Sequence, residues 1–244
     1  MTTASARIHL AGVFGGGGLF GIGYGLGVVD GLRKQGIDLR GSPMLGTSAG
    51  SWVAAATALD VPFSDLVRLA VPRFPNPRSG VLANSAAVVF GQKRDSNVHV
   101  VACSLPRLHR TELSGANFPL ATLVAASSAV PGLLAPQRVG RHLYIDGGVR
   151  SGVSVDLATP ADLLVVIAPL AGAMFGPFGG FVERKMDREM DIWRQAGGKH
   201  ILVFSPNQIT SDIAKWPQDL FDKDKAVEAY YRGLSEASRM PIPT

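Results

Sequence analysis

Met44-Leu45-Gly46-Thr47-Ser48-Ala49-Gly50 runs from four residues of strand character straight into an alanine-rich segment that ends at Leu59. Met44–Thr47 reads as a short buried strand and Ala49–Leu59 as a helix, so Ser48 falls on the turn between them. Glycines two residues before and two after, Gly46 and Gly50, suit a turn so tight that only small neighbours fit, which pushes the serine hydroxyl out of the backbone surface. The free N–H groups of the following helix favour a negative charge developing beside it. This is the pattern of a serine nucleophile. The alternative is that Ser48 only caps the helix.

Upstream, residues 8–14 form an apolar run ending in Gly15-Gly16-Gly17-Gly18, and residues 19–35 mix apolar residues with glycines before Arg33-Lys34 and Gly36. Basic residues in a last turn followed by glycine mark a helix C-terminus. Strand, helix and strand in that order require a right-handed crossover, which makes the two strands parallel. The expected class is therefore α/β with a mainly parallel sheet. Ligands of such sheets bind beyond the C-terminal strand ends, so the glycine loop and Ser48 should face one crevice.

Gly16-x-Gly18-x-x-Gly21 fits either a dinucleotide-binding turn or a loop that holds an oxyanion. A dinucleotide site wants an acidic residue about 20 positions on, at the end of the next strand. That strand ends in Thr47-Ser48, and Asp38 precedes it, which disfavours a cofactor. A tight turn with no chemistry is the third reading.

Farther along, residues 61–77 hold a short helix capped by Ser64 and then a proline-rich connector. Strands are expected at 98–105, 142–145, 163–168 and 201–204, and helices at 120–130 (stopped by Pro131), 183–195 and 216–238. The apolar, glycine-rich stretch 168–181, with Met174, Phe175 and Phe178, reads as a loop, either a rim that covers an acyl chain or a plain surface loop.

A serine nucleophile needs a base, most often histidine held by a carboxylate. His9 and His99 lie in or beside strand runs, His109 in a basic hairpin, His142 before a strand and His200 at the start of one. None is well placed. Tyr144-Ile145-Asp146-Gly147-Gly148 instead puts a carboxylate directly after a strand, where it can project into the crevice, although an Asp-Gly-Gly turn also occurs without chemistry.

Gly16-Gly17-Gly18, Gly46-Thr47-Ser48-Ala49-Gly50, Ala126-Ser127-Ser128-Ala129-Val130-Pro131-Gly132 and Asp146-Gly147-Gly148, in this order, resemble the patatin-like phospholipase family. The resemblance spans about residues 8–168 and implies a three-layer α/β/α fold, one domain over 1–244 with 169–244 as its extension. It also implies a Ser-Asp dyad without histidine: Asp146 takes the proton of Ser48, the serine attacks an acyl ester, and water releases the fatty acid. Backbone N–H groups around Gly16, Gly17, Gly18 and Leu19, with Ala49, would hold the oxyanion. Gly21, Gly46, Gly50, Gly147 and Gly148 belong to the motifs. No cofactor or metal is implied. Many family members carry arginine or lysine where this chain has Phe20, and an Asn-x-Pro where it has Gly152-Val153-Ser154. These departures bear on substrate preference and rate. An acyltransferase, a non-catalytic lipid-binding protein and a Ser-His-Asp esterase are the competing readings.

Composition narrows the partners. The chain has 244 residues, a net charge of +5 and 7% aromatic residues, with basic residues scattered and not interleaved with aromatics. That disfavours a base-stacking groove, so no nucleic acid is expected, and the charge suits transient contact with a membrane surface; a lipid or other acyl ester as substrate is what the resemblance implies. The oligomeric state is not legible. A single cysteine, Cys103, rules out an internal disulfide and reads as a buried thiol. The N-terminus, with Arg7 its only early cation, lacks a signal-peptide pattern, and no run of about 18 apolar residues occurs. The expected location is cytoplasmic, peripheral at a membrane.

Overall fold

The computed structural model describes residues 8–240, so the N-terminal segment around Arg7 lies outside the described residues. The chain opens with strand β1 (Leu10–Phe14), helix α1 (Gly18–Lys34), strand β2 (Met44–Thr47) and helix α2 (Ala49–Leu59). Helices α3 (Phe63–Arg68) and α4 (Val81–Phe90) follow, then the hairpin β3 (Val98–Ser104) and β4 (His109–Ser114). Next come α5 (Leu120–Ser127), β5 (Gln137–Val139) and β6 (His142–Asp146). The last part holds β7 (Leu163–Ile167), α6 (Pro177–Gln195), β8 (His200–Phe204), α7 (Gln208–Ser211) and α8 (Lys223–Arg239).

All eight strands join one sheet in the order β5-β6-β3-β2-β1-β7-β8, with β4 on β3. Strands β3, β2, β1, β7 and β8 run parallel, whereas β4, β5 and β6 are antiparallel to their neighbours. The expected α/β class with a mainly parallel sheet is the architecture seen.

Side-chain alternation along the strands feeds two apolar layers. In β7, buried throughout as parallel strands are, Leu163, Val165 and Ile167 face the larger layer beneath α1, α2, α4, α5 and α8. Leu164 and Val166 face the other, closed by Met186, Met190 and Trp193 of α6.

Several boundaries differ from the sequence reading. Pro62, not Ser64, stands at the N-cap of α3. Helix α5 stops at Ser127, before Pro131, and α4 was not expected, because its run of valine and alanine lacks polar periodicity. Helix α6 begins at Pro177, a residue type suited to a first turn, so Phe178 and Phe181 stand on a helix and only the earlier part of 168–181 is loop.

The glycines of α1 have a packing role. Those at positions 23, 27 and 31 form a stripe against α8, where added Cβ atoms would run into Ala226 O, Tyr230 O and Leu234 O respectively. Polar bonds seal the seam: Tyr24 Oη donates to Glu236 at 2.7 Å and Tyr230 Oη to Asp30 at 2.7 Å, while Phe63 stacks on Tyr230 at 5.0 Å. Gly27→Ala is thus expected to lower stability by about 3 kcal/mol, seen as a drop in thermal midpoint. A loss under about 0.5 kcal/mol would mean that α8 yields freely.

Candidate active site

Strand β3 lends one edge to two strands. Residues 98–101 pair with β2, and residues 102–104 pair with β6, while β4 occupies the opposite edge along 99–104. Strands β2 and β6 therefore run toward each other along one line and meet tip to tip, Thr47 opposite Val101 and Asp146 opposite Ala102. Neither can continue. One turns out at Ser48 into α2, and the other turns out at Asp146 into a 3-10 turn over Gly147–Val149. A Cβ at Gly147 would collide with Val101 O and lie 3.2 Å from Thr47 Cγ2, so glycine is what lets the tips come this close.

Ser48 has φ 53° and ψ −122°, a region that costs a non-glycine residue about 1–3 kcal/mol. Its backbone is fixed on both sides. The N–H donates to Ser127 Oγ at 2.8 Å, whose own hydroxyl donates to Val101 O at 2.7 Å. The carbonyl accepts from Ser51 N at 2.9 Å and Ser51 Oγ at 2.6 Å. The Ser48 side chain makes no cap hydrogen bond to α2, so the capping reading fails.

Asp146 is 5% exposed and its Oδ1 accepts from Gly148 N at 2.6 Å. Burial pushes its pKa from the usual 3.8 up to about 6, against the downward pull of hydrogen bonds from the Ser48 side chain and the Gly148 N–H. It is thus a carboxylate whose proton affinity is raised and whose neighbour is the serine.

The glycine loop closes the third side. Gly17, at φ 152°, is the N-cap of α1, and Gly18 follows at φ 59°. Gly16 backs onto the serine: a Cβ there would be 3.5 Å from Ser48 Cβ. Its N–H already donates to Gly152 O at 2.8 Å, which removes Gly16 from the expected oxyanion donors. The first N–H groups of a helix have no partner within it, so Gly18 and Leu19 in α1 and Ala49 in α2 bring donors to the same crevice. Phe20 is fully buried in the core and presents nothing to the crevice.

Gly16, Gly17, Gly18, Leu19, Ser48, Ala49, Asp146 and Gly148 all line one cavity of about 650 Å³. Of the remaining motif glycines, Gly21 packs its Cα face toward Ala49, Gly46 abuts the start of α2 and Gly50 abuts Phe14 O. Most of the wall is apolar, including Trp52, Leu66, Leu134 and Phe221, with the exposed Phe178 and Phe181 at α6. Met174 is buried in the core. None of the five histidines lines the cavity.

The sequence reading overlooked three pairs of contributors. Ser127 and Ser128 brace the elbow, the latter by accepting from Trp52 Nε1 at 3.2 Å; their place in the serine- and proline-containing segment was the available signal. Arg150 and Lys185 supply the cations of the wall. Leu220 and Phe221 reach it from the far end of the chain, Leu220 seated on Gly18.

The patatin-like phospholipase family model matches residues 82–159. Over those residues the chain is similar to patatin-like phospholipases. The matched stretch carries Ser127, Asp146 and the glycines after it, whereas Ser48 and the glycine loop precede it. Among solved structures, VipD from Legionella pneumophila is similar at 14% identity and a TM-score of 0.47, over 96% of this chain and 67% of that one. No curated protein matches the sequence.

Raising the pKa of Asp146 means that the folded state holds a proton which the unfolded chain gives up, so stability falls as pH rises from about 4 to about 6. Asp146→Asn removes that penalty. It should be more stable than the wild type by about 2 kcal/mol in urea melts at pH 8, and the gain should vanish below about pH 4. A variant destabilised equally at both pH values would contradict it.

Proposed function

We propose that this protein is a lipid acyl hydrolase with Ser48 as nucleophile and Asp146 as its proton acceptor. The observation that supports this best is the meeting of a strained, uncapped serine and a buried carboxylate over one apolar cavity. Asp146 takes the hydroxyl proton as Ser48 Oγ bonds to the ester carbonyl carbon. N–H groups of Gly17, Gly18 and Leu19, with Ala49, receive the oxyanion, and two helix N-termini add favourable potential there. With Phe20 in the core, this backbone set works without a cationic side chain. Collapse of the tetrahedral adduct breaks the bond to the alcohol, which leaves with the proton from Asp146. Water then repeats the sequence on the acyl-enzyme, giving free fatty acid and serine.

A carboxylate is a weak base toward a serine hydroxyl, and a dry site that lifts its pKa narrows the gap. The apolar wall serves both ends: it desolvates Asp146 and accepts the acyl chain, each buried methylene contributing about 0.8 kcal/mol.

The substrate class fits contact with a lipid surface. Val149, Phe178 and Phe181 are exposed where they line the cavity, and the charge of +5 favours anionic membranes. Among the described residues no helix is long and apolar enough to cross a membrane, and no three metal-ligating side chains cluster. Peripheral association from the cytoplasm is the location that suits this reading.

Hydrolysis of p-nitrophenyl esters and labelling by a fluorophosphonate test it. Ser48→Ala should abolish labelling, and Ser48→Ala and Asp146→Asn should each lower kcat/KM by at least about a thousandfold. Because the base must be ionised, wild-type kcat/KM should fall about tenfold per pH unit below about 6. Wild-type rates in both variants would sink the proposal.

A further inference from the structure

Glu189 is buried on α6 with Met186, Met190 and Trp193, and it does not line the cavity. A carboxylate is costly to bury unless it is paired and hydrogen-bonded. This one is engaged on both oxygens. Oε1 accepts from Arg110 Nη1 at 3.3 Å, and the same guanidinium grips Asp156 through both of its Nη atoms. Oε2 accepts from Val155 N at 3.0 Å. The carboxylate also takes a hydrogen bond from the Ser151 hydroxyl. That hydroxyl oxygen in turn accepts from Val153 N at 3.4 Å and Ser154 N at 3.0 Å. Glu189 thus satisfies the N–H groups of Val153, Ser154 and Val155, directly or through one hydroxyl. Ser154 is held among them at φ 65°, a strained conformation for a residue with a side chain.

The segment wound around Glu189 reaches three sides of the crevice. Ser151 N donates to Gly147 O at 3.1 Å, in the turn that leaves Asp146. Thr47 Oγ1, from the residue before Ser48, donates to Val153 O at 3.4 Å. Gly152 O accepts the Gly16 N–H at 2.8 Å, whereas Gly15 N is held separately, by Ile167 O of β7 at 2.8 Å. The bond from Gly16 to Gly152 is therefore the last tether of the glycine loop before Gly17, Gly18 and Leu19. We propose that Glu189 is a positioning residue for this loop: by winding residues 151–155 it fixes Gly152 O, and through the Gly16 N–H it sets where the oxyanion donors stand. Such donors act only when preorganised, and a misplacement of about 1 Å costs on the order of a hundredfold in rate. The effect on rate rests on the hydrolase reading; the brace itself does not.

Amide hydrogen exchange, followed by NMR on the full chain, reads the brace without turnover. Glu189→Ala should speed exchange at Gly16 and Val155 by at least about tenfold, while Gly15, bonded to β7, keeps its wild-type protection. Met190→Ala, a cavity in the packing of the same helix, should lower the thermal midpoint and leave the ratio of Gly16 to Gly15 exchange unchanged. With p-nitrophenyl esters, Glu189→Ala should lower kcat by about a hundredfold with KM within about twofold, because oxyanion donors act in the transition state. Met190→Ala should keep the wild-type kcat wherever it is folded. Glu189→Gln, which still offers Val155 N an acceptor, should recover most of both losses. Ser151→Ala removes the relay but leaves the carboxylate and Arg110 in place; it should move Gly16 exchange and kcat in the same direction, and it carries the test if Glu189→Ala does not fold. A Gly16 amide that stays as protected as Gly15 in these variants, or a kcat no lower than that of Met190→Ala, would overturn the proposal. If Gly16 loses protection as expected and the wild type neither cleaves the esters nor reacts with a fluorophosphonate, the hydrolase reading fails and the brace stands.

Discussion

Two strands meeting head-on along one edge of β3 is the constraint from which the rest follows. Sheet hydrogen bonding cannot continue past the point where β2 and β6 abut, so both chains must leave the plane there. One departure creates the strained Ser48 and the other places Asp146 beside it. The carbonyl of Val101, at the junction, is taken by the Ser127 hydroxyl, and that hydroxyl also holds the Ser48 N–H. A single side chain therefore fills the break in the ladder and fixes the Ser48 backbone. The local strain persists because sheet, α5 and α2 all determine it together.

Electrostatics and packing pull in one direction at this site. The apolar wall of the cavity withholds water from Asp146, and a desolvated carboxyl holds its proton more tightly. The penalty falls on folding at neutral pH, and in the proposed reaction the benefit falls on proton transfer. Such opposition between local stability and chemistry is expected where a base must be raised toward the working pH.

The opening of the fold was legible because each signal was local. An apolar strand, a glycine loop, a basic helix end and a second strand together forced a parallel crossover, and that placed the loop and Ser48 in one crevice. Asp146 could be seen after a strand, but not that this strand runs antiparallel and meets β2, since pairing partners are set by tertiary contacts. Gly16 looked equivalent to Gly17 and Gly18 until Gly152, far away in sequence, claimed its N–H. Helix α6 was seen without its first turns because glycine and phenylalanine around Pro177 look like a loop. Arg150 and Lys185 gave no signal, because nothing in a sequence tells a cation on a cavity wall from one in solvent.

The seam between α1 and α8 has a consequence for how the protein comes into being. Leu220 covers Gly18 and α8 covers the glycine stripe of α1, so an early element is completed by residues far along the chain. Contacts between such distant parts of the chain close late and slow the folding of the whole. On the ribosome, where a chain emerges from its N-terminus, the glycine face of α1 waits uncovered until α8 has been synthesised. A nascent chain thus carries Ser48 well before Leu220 completes the cavity beside it, so the exposed glycine face of α1 needs protection in the interval.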